Sequence, residues 1–281
     1  MSQNGKCSGN CSSCSSKEKS DDCRLTSAMG KIKHKLIVMS GKGGVGKSTV
    51  AANLAYSLAE RGYKTGLLDV DLHGPSIPKM LGIDHLMASG SEEGLIPVEA
   101  GKVLVMSVGL VMPNNDDAIV WRGPMKIGVI KQLLSEVEWG ELDYLVVDCP
   151  PGTGDEPLSV CQMAGENAGA VMVTTPQEVS GADVAKSLNF CKQLNLPVYG
   201  LIENMSGFIC PHCGEMTAIF SKGGGEALAS RFQVPFAGQL PLDPAICQGG
   251  DEGKPFSGKD IANDPAAKAF SDVLDKILGN I

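Results

Sequence analysis

Ser40-Gly41-Lys42-Gly43-Gly44-Val45-Gly46-Lys47-Ser48-Thr49 is a glycine-rich run set between two apolar segments. Before it, Leu36-Ile37-Val38-Met39 is short, apolar and partly β-branched, as a buried parallel strand should be. After it, Val50, Leu54 and Leu58 fall at helical spacing, with Glu60 and Arg61 closing the last turn. Strand, glycine turn and helix form the setting that a phosphate-binding loop requires. Gly41, Gly43, Gly44 and Gly46 let the main chain wrap phosphates with its N–H groups pointing inward, in conformations a Cβ often forbids. The whole run from Gly41 to Thr49, Val45 included, is therefore the expected nucleotide cradle. The helix behind it adds the positive end of its dipole. Lys47 suits the outer phosphates, and the Ser48 hydroxyl suits Mg²⁺.

Further along, two strands end in acids. Thr65 to Val70 reads as a strand running into Asp69-Val70-Asp71-Leu72-His73-Gly74-Pro75. Strand ends of this kind mark the edge at which open parallel sheets bind ligands. One acid there can hold the attacking water and another can support the magnesium shell. A single Asp in such a loop can also cap a helix. Asp143 to Asp148 (DYLVVD) is the clearest buried strand and ends in CPPGTGDE, so Asp148 fits the Walker B carboxylate that binds Mg²⁺ through water. Pro150 to Gly154 is a stiff turn with hinges, suited to sensing a terminal phosphate. His73 reads as a loop hydrogen-bonder.

The remaining punctuation gives an α/β fold: a mainly parallel sheet with helices on both faces, in a single domain over 31–281. Residues 84–101 read as loop or hairpin, Val103–Val108 as a strand, and a helix introduced by Trp121-Arg122-Gly123-Pro124 runs to about Val137. Ala170–Thr174 is a strand, followed by an amphipathic helix with Val184, Leu188 and Cys191 on one face. Tyr199–Ile202 is a strand ending in Glu203-Asn204-Met205; Lys222–Phe232 reads as helix and Pro235–Leu240 as a last short strand. The terminal helix, Pro265 to about Leu278, puts Phe270, Val273, Leu274 and Ile277 on one stripe. Its lysines are balanced by Asp272 and Asp275, so it suits packing on the domain better than an anionic lipid surface.

The 281 residues are 43% hydrophobic, enough for one full α/β core. A net charge of −8 without a long basic block argues against nucleic acid as a partner. No stretch approaches the roughly 20 apolar residues of a membrane span. The first thirty residues are polar, without the apolar segment of a secretory signal. The expected compartment is the cytoplasm, where thiols stay reduced and ten cysteines are not a disulfide framework. Residues 1–30 lack core-forming side chains and are expected to be a flexible tail. It carries Cys7, Cys11, Cys14 and Cys23, four thiols able to enclose an iron–sulfur cluster or zinc.

A second thiol motif, Cys210-Pro211-His212-Cys213, supplies half of a four-coordinate site. A redox dithiol, a zinc half-site using His212, and a cluster shared across a two-fold axis compete; the last is favoured because an isologous interface doubles any half-site. Cys149, Cys161, Cys191 and Cys247 are scattered, with packing as the default for Cys149.

The pattern K-G-G-V-G-K-S, with its second lysine Lys42, resembles the deviant Walker A class of dimeric ATPases (MinD, ParA, Mrp and nitrogenase reductase). GKGGVGKST, DVDLHGPSIPKMLG, WRGPM, DCPPGTGDE, ENMSGF and CPHCG, in that order, resemble the Mrp family of iron–sulfur cluster carrier ATPases. The resemblance implies a homodimer in which Lys42 crosses to the partner's nucleotide. It implies that Asp71 lies beside the attacked phosphate, with Asp69 supporting the metal, and makes Lys42, Lys47 and Asp71 the catalytic set. It also implies that Asn204 contacts adenine while the loop of Pro241 and Asp243 closes over the base. No N-K-x-D guanine signature is present, so ATP is the expected nucleotide. Cys210 and Cys213 would bridge a labile [4Fe–4S] cluster destined for apoproteins, with slow ATP hydrolysis as the timing event. The tail resembles that of the cytosolic scaffold branch but departs from its cysteine spacing. The alternatives are a partitioning or positioning ATPase of the MinD/ParA kind and an electron-donating reductase.

Overall fold

The computed structural model describes residues 21–112, 123–210, 213, 215–220, 223–255 and 265–281. The chain enters as helix α1 (Asp21–Gly30) and strand β1 (Ile32–Ser40), turns into α2 (Lys47–Glu60) and returns as β2 (Thr65–Asp69). A short α3 (Ile77–Met80) and the hairpin of β3 (Ser89–Gly90) and β4 (Leu95–Ile96) lead to β5 (Val98–Ala100) and β6 (Val103–Ser107). Helix and strand then alternate: α4 (Gly123–Ser135), β7 (Leu142–Asp148), α5 (Asp155–Met163), β8 (Ala168–Thr174), α6 (Glu178–Gln193) and β9 (Val198–Glu203). A second hairpin, β10 (Phe208–Ile209) with β11 (Met216–Thr217), precedes α7 (Gly224–Phe232), β12 (Phe236–Gln239), α8 (Pro244–Asp251) and α9 (Pro265–Leu278).

Eight strands form one sheet in the order β12-β9-β8-β1-β7-β2-β6-β5. Every neighbouring pair is parallel except the edge pair β5–β6. Strand alternation divides the central residues between two cores. Leu36 and Val38 of β1 join α2 and α9 on one face, while Ile37 and Met39 join α4, α5, α6 and α7 on the other. Burial on both faces explains why residues 36–39 of β1, 144–147 of β7 and 168–173 of β8 are unbroken apolar runs. Val38 and Asp69 both lie in register with Asp148, so the phosphate loop and both acidic strand ends open at one edge of the sheet. Phe270, Val273, Leu274 and Ile277 of α9 are buried in the α2-side core, so the stripe faces protein.

The expected tail through residue 30 needs correction. Residues 21–30 are helical, with Cys23 and Met29 buried. The helix packs against α4, where Lys131 Nζ donates to Asp22 Oδ1 at 2.9 Å. Cys23 therefore sits on the inward face of a docked helix, away from any swinging tether. Cys7, Cys11 and Cys14 lie outside the described residues, as do Trp121, Arg122 and His212. Helix α8 was not expected, whereas the β3–β4 hairpin and the antiparallel β5 lie in the stretch 84–101 expected as loop or hairpin. Asp243 caps α8 by accepting from the Ala245 N–H at 2.7 Å, and Pro244 occupies its first turn.

Candidate functional site

The glycine loop leaves β1 and enters α2 through Gly44 (φ 76°) and Gly46 (φ 81°), left-handed positions that favour glycine. Gly41 is required for a different reason: a Cβ there would lie 2.4 Å from the Asp183–Val184 peptide of α6. No side chain caps the start of α2, whose first turn also lacks an acid, an arrangement suited to binding an anion with the leading N–H groups. The loop bounds a cleft of about 210 Å³ lined by Lys42, Lys47, Ser48, Thr49, Asp71 and Pro151 among others. The expected phosphate-binding and hydrolytic residues are thus brought together. Val45 is buried behind the loop as its backing.

Lys47 is buried and its Nζ lies 2.5 Å from Asp148 Oδ1. Burial pushes the Asp148 carboxyl up, and the Lys47 ammonium and Ser48 hydroxyl pull against that shift. Asp148 Oδ2 is buried without a hydrogen-bond partner. A carboxylate oxygen left without a donor, beside a serine hydroxyl and a phosphate loop, fits a hard divalent cation such as Mg²⁺.

Asp69, expected to support the metal, is turned to other work. Its Oδ1 accepts the Asp71 N–H at 3.0 Å, while Oδ2 accepts the Ile77 N–H at 3.4 Å and the Ser107 hydroxyl at 3.1 Å. Burial first, and the nearby Asp148 charge next, push its carboxyl up to about 8. Asp69 is accordingly the brace that fixes both ends of the Asp71 loop.

Lys42 Nζ lies 3.2 Å from Gln177 Oε1, at the residue capping α6. The motif did not reveal Gln177; its signal is a polar residue shortly after the end of β8. Asn204 donates through Nδ2 to the Val45 carbonyl at 2.9 Å, bracing the loop from behind. Asn204, Pro241 and Asp243 lie outside the lining of the phosphate cleft. Their loops nonetheless leave the adjacent parallel strands β9 and β12 and are joined by the Ser206 N–H to Leu240 carbonyl bond.

The thiol motif lies off the main sheet, on the β10–β11 hairpin. The Cys210 N–H donates to the Glu215 carbonyl at 3.0 Å, and Cys213 is exposed. The Leu242 N–H donates to the Gly207 carbonyl at 2.7 Å, so the Pro241–Asp243 loop and the strand leading to Cys210 share main-chain pairing. Among the described residues no group of three or more His, Cys, Asp or Glu gathers into a metal site. Cys149, Cys161 and Cys191 pack in or against the core beneath α5 and α6.

Known proteins carry the same framework. A cytosolic Fe–S cluster assembly factor NUBP2 homolog from Trichoplax adhaerens is 51% identical over 256 residues, covering 89% of this chain and 96% of that protein. An iron–sulfur cluster carrier protein from Methanocaldococcus jannaschii is 44% identical over 285 residues, covering 98% of each. Among solved structures, a nucleotide-binding protein from Archaeoglobus fulgidus in complex with ADP superposes with a TM-score of 0.75 at 40% identity, covering 89% of this chain and 96% of that one. The cell division ATPase MinD from Pyrococcus furiosus superposes at 0.64 with 26% identity, covering 89% and 100%. The NUBPL iron-transfer P-loop NTPase family of the ParA group matches residues 31–278, and the chain belongs to it.

Proposed function

We propose that the protein is an ATP-dependent iron–sulfur cluster carrier of the cytoplasm, which delivers a labile [4Fe–4S] cluster to apoproteins. The observation that carries this reading is a thiol pair, Cys213 exposed and Cys210 half-buried, on a hairpin whose main chain is bonded to a loop beside the nucleotide site, through Leu242 and Gly207. Relatives of 44% identity and above are named as carriers or cytosolic assembly factors, in agreement with it. Two thiols cannot complete a cluster's ligand set, so the reading calls for a homodimer in which each subunit gives Cys210 and Cys213. The segment ahead of α1, with Cys7, Cys11 and Cys14, is a second candidate for a soft metal centre.

Hydrolysis follows from the cleft. The α2 amides and Lys47 hold the phosphates, and Asp71 orients the attacking water from the cleft wall. Ser48 and Asp148 would hold Mg²⁺, which when bound neutralises phosphate charge. Lys42 leaves Gln177 to reach the partner's nucleotide, so dimer formation and ATP occupancy reinforce one another. Turnover is slow and acts as a timer, because changes in the base loop reach the thiol hairpin through the Leu242–Gly207 bond. A surface-binding switch of the MinD/ParA kind is not favoured by α9, whose apolar stripe is buried against the domain.

Anaerobic reconstitution with iron and sulfide tests the reading. The wild-type chain is expected to bind a transferable cluster as a dimer, and a Cys210→Ala, Cys213→Ala double variant to lose it. A full, transferable cluster on the double variant would sink the proposal.

A further inference from the structure

Outside the phosphate cleft, one charged cluster joins three parts of the chain that flank it. Lys126 Nζ, in the first turn of α4, lies 2.8 Å from Glu156 Oε1 and 2.6 Å from His73 Nε2. An ammonium only donates, so His73 accepts through Nε2. Lys126 and Glu156 are each only 19% exposed, while His73 is 58% exposed at the tip of its loop. The ammonium also holds the Glu156 carboxyl below its usual range.

The three residues matter for what they are attached to. His73 stands two residues beyond Asp71 in the loop that Asp69 pins at Asp71 and Ile77. Glu156 opens the helix reached from Asp148 by the turn through Gly152 (φ 91°) and Gly154. Lys126 belongs to α4, which packs along α5 and so forms a fixed post. The inner ends of the Asp71 loop are held by Asp69, and its tip is held through His73, whose Nε2 meets Lys126 Nζ and lies 4.0 Å from Glu156 Oε1.

We propose that Lys126 is a positioning residue for ATP hydrolysis, a strut that sets the Asp71 loop against the turn following Asp148 by joining His73 to Glu156. As a source of stability such a partly exposed pair contributes little. As a constraint it fixes where the water-orienting carboxylate stands relative to the metal-binding one. Nucleotide affinity is set by Gly41–Thr49 and does not depend on it. The strut thus acts on turnover and leaves binding alone.

The inference rests on the hydrolysis part of the proposed function and not on the thiol hairpin. The test uses the full chain with Mg·ATP, measuring steady-state turnover, ADP affinity by calorimetry and thermal stability. Lys126→Met is expected to lower kcat about tenfold, the scale of a kilocalorie-sized loss in positioning, with ADP affinity within about twofold. Lys126→Arg, which keeps the donors, restores most of the rate. His73→Phe lowers kcat similarly, and the Lys126→Met, His73→Phe double variant is no slower than the worse single, since both break one connection. Wild-type turnover in Lys126→Met, or additive losses in the double variant, would overturn the strut. Parallel loss of turnover, affinity and melting temperature would overturn it too, by showing a merely structural role. A wild-type chain with no Mg·ATP turnover would instead remove the hydrolysis reading and the strut with it.

Discussion

The thiols show how a single residue's surroundings decide its chemistry. Burial pushes Cys161 and Cys191 up to about 12 and Cys149 well above its ordinary value. At pH 8 a thiol of pKa about 12 is ionised to only about one part in ten thousand. These three therefore neither alkylate readily nor compete for iron. Treating the apoprotein with iodoacetamide at pH 8 and mapping peptides should label the exposed Cys213 and Cys247 within minutes, and Cys149, Cys161 and Cys191 only after denaturation. Rapid labelling of Cys191 in the folded chain would contradict this account. The sequence made the Cys210–Cys213 pair legible through its spacing, but only burial reveals Cys23 as part of a docked helix. Asp69 and Asp71 look alike in a D-x-D motif. Only the donors around Asp69 reveal it as a loop brace.

At the scale of elements, the glycine loop depends on α6 as much as on its own turn. The contact at Gly41 leaves no room for a methyl group between loop and helix backbone. Gly41→Ala is expected to cost about 1–3 kcal/mol or more, as overpacking does, and to weaken nucleotide binding. Gly43→Ala is the matched control, because its added methyl would meet nothing nearer than Pro151 Cγ at 4.0 Å. Equal melting temperatures for the two variants, read by calorimetry, would refute the close approach. Strands β1, β7 and β8 were plain from sequence because burial on both faces leaves an apolar run. Helix α8 was not, since none of its residues is buried and it contains Gly249 and Gly250. Helix α1 was hidden by polar composition, with only Cys23 and Met29 fully inside. The Lys126 cluster joins residues far apart in the chain, a relation no local pattern records.

Over the whole molecule, α9 closes the core on the α2 face of the sheet. Phe270 is buried in that core, whereas Arg61 pairs with Asp275 at a largely exposed position, 29% and 63% accessible. Phe270→Ala should cost about 3–5 kcal/mol, and Arg61→Ala no more than about 1 kcal/mol, in urea unfolding. A reversed ranking would mean that the helix is held by its surface ion pair. The same docking explains why a terminal stripe of apolar residues belongs to the core of the domain.

The hairpin bearing Cys210 and Cys213 hangs beside the eight-stranded sheet and contributes no strand to it. On the proposed function, an inorganic load taken up or surrendered there would leave the hydrophobic frame as it was. An emptied polypeptide would then keep its shape and be open to refilling. Each molecule would serve many recipients in succession, as a reusable courier and not a sacrificial donor.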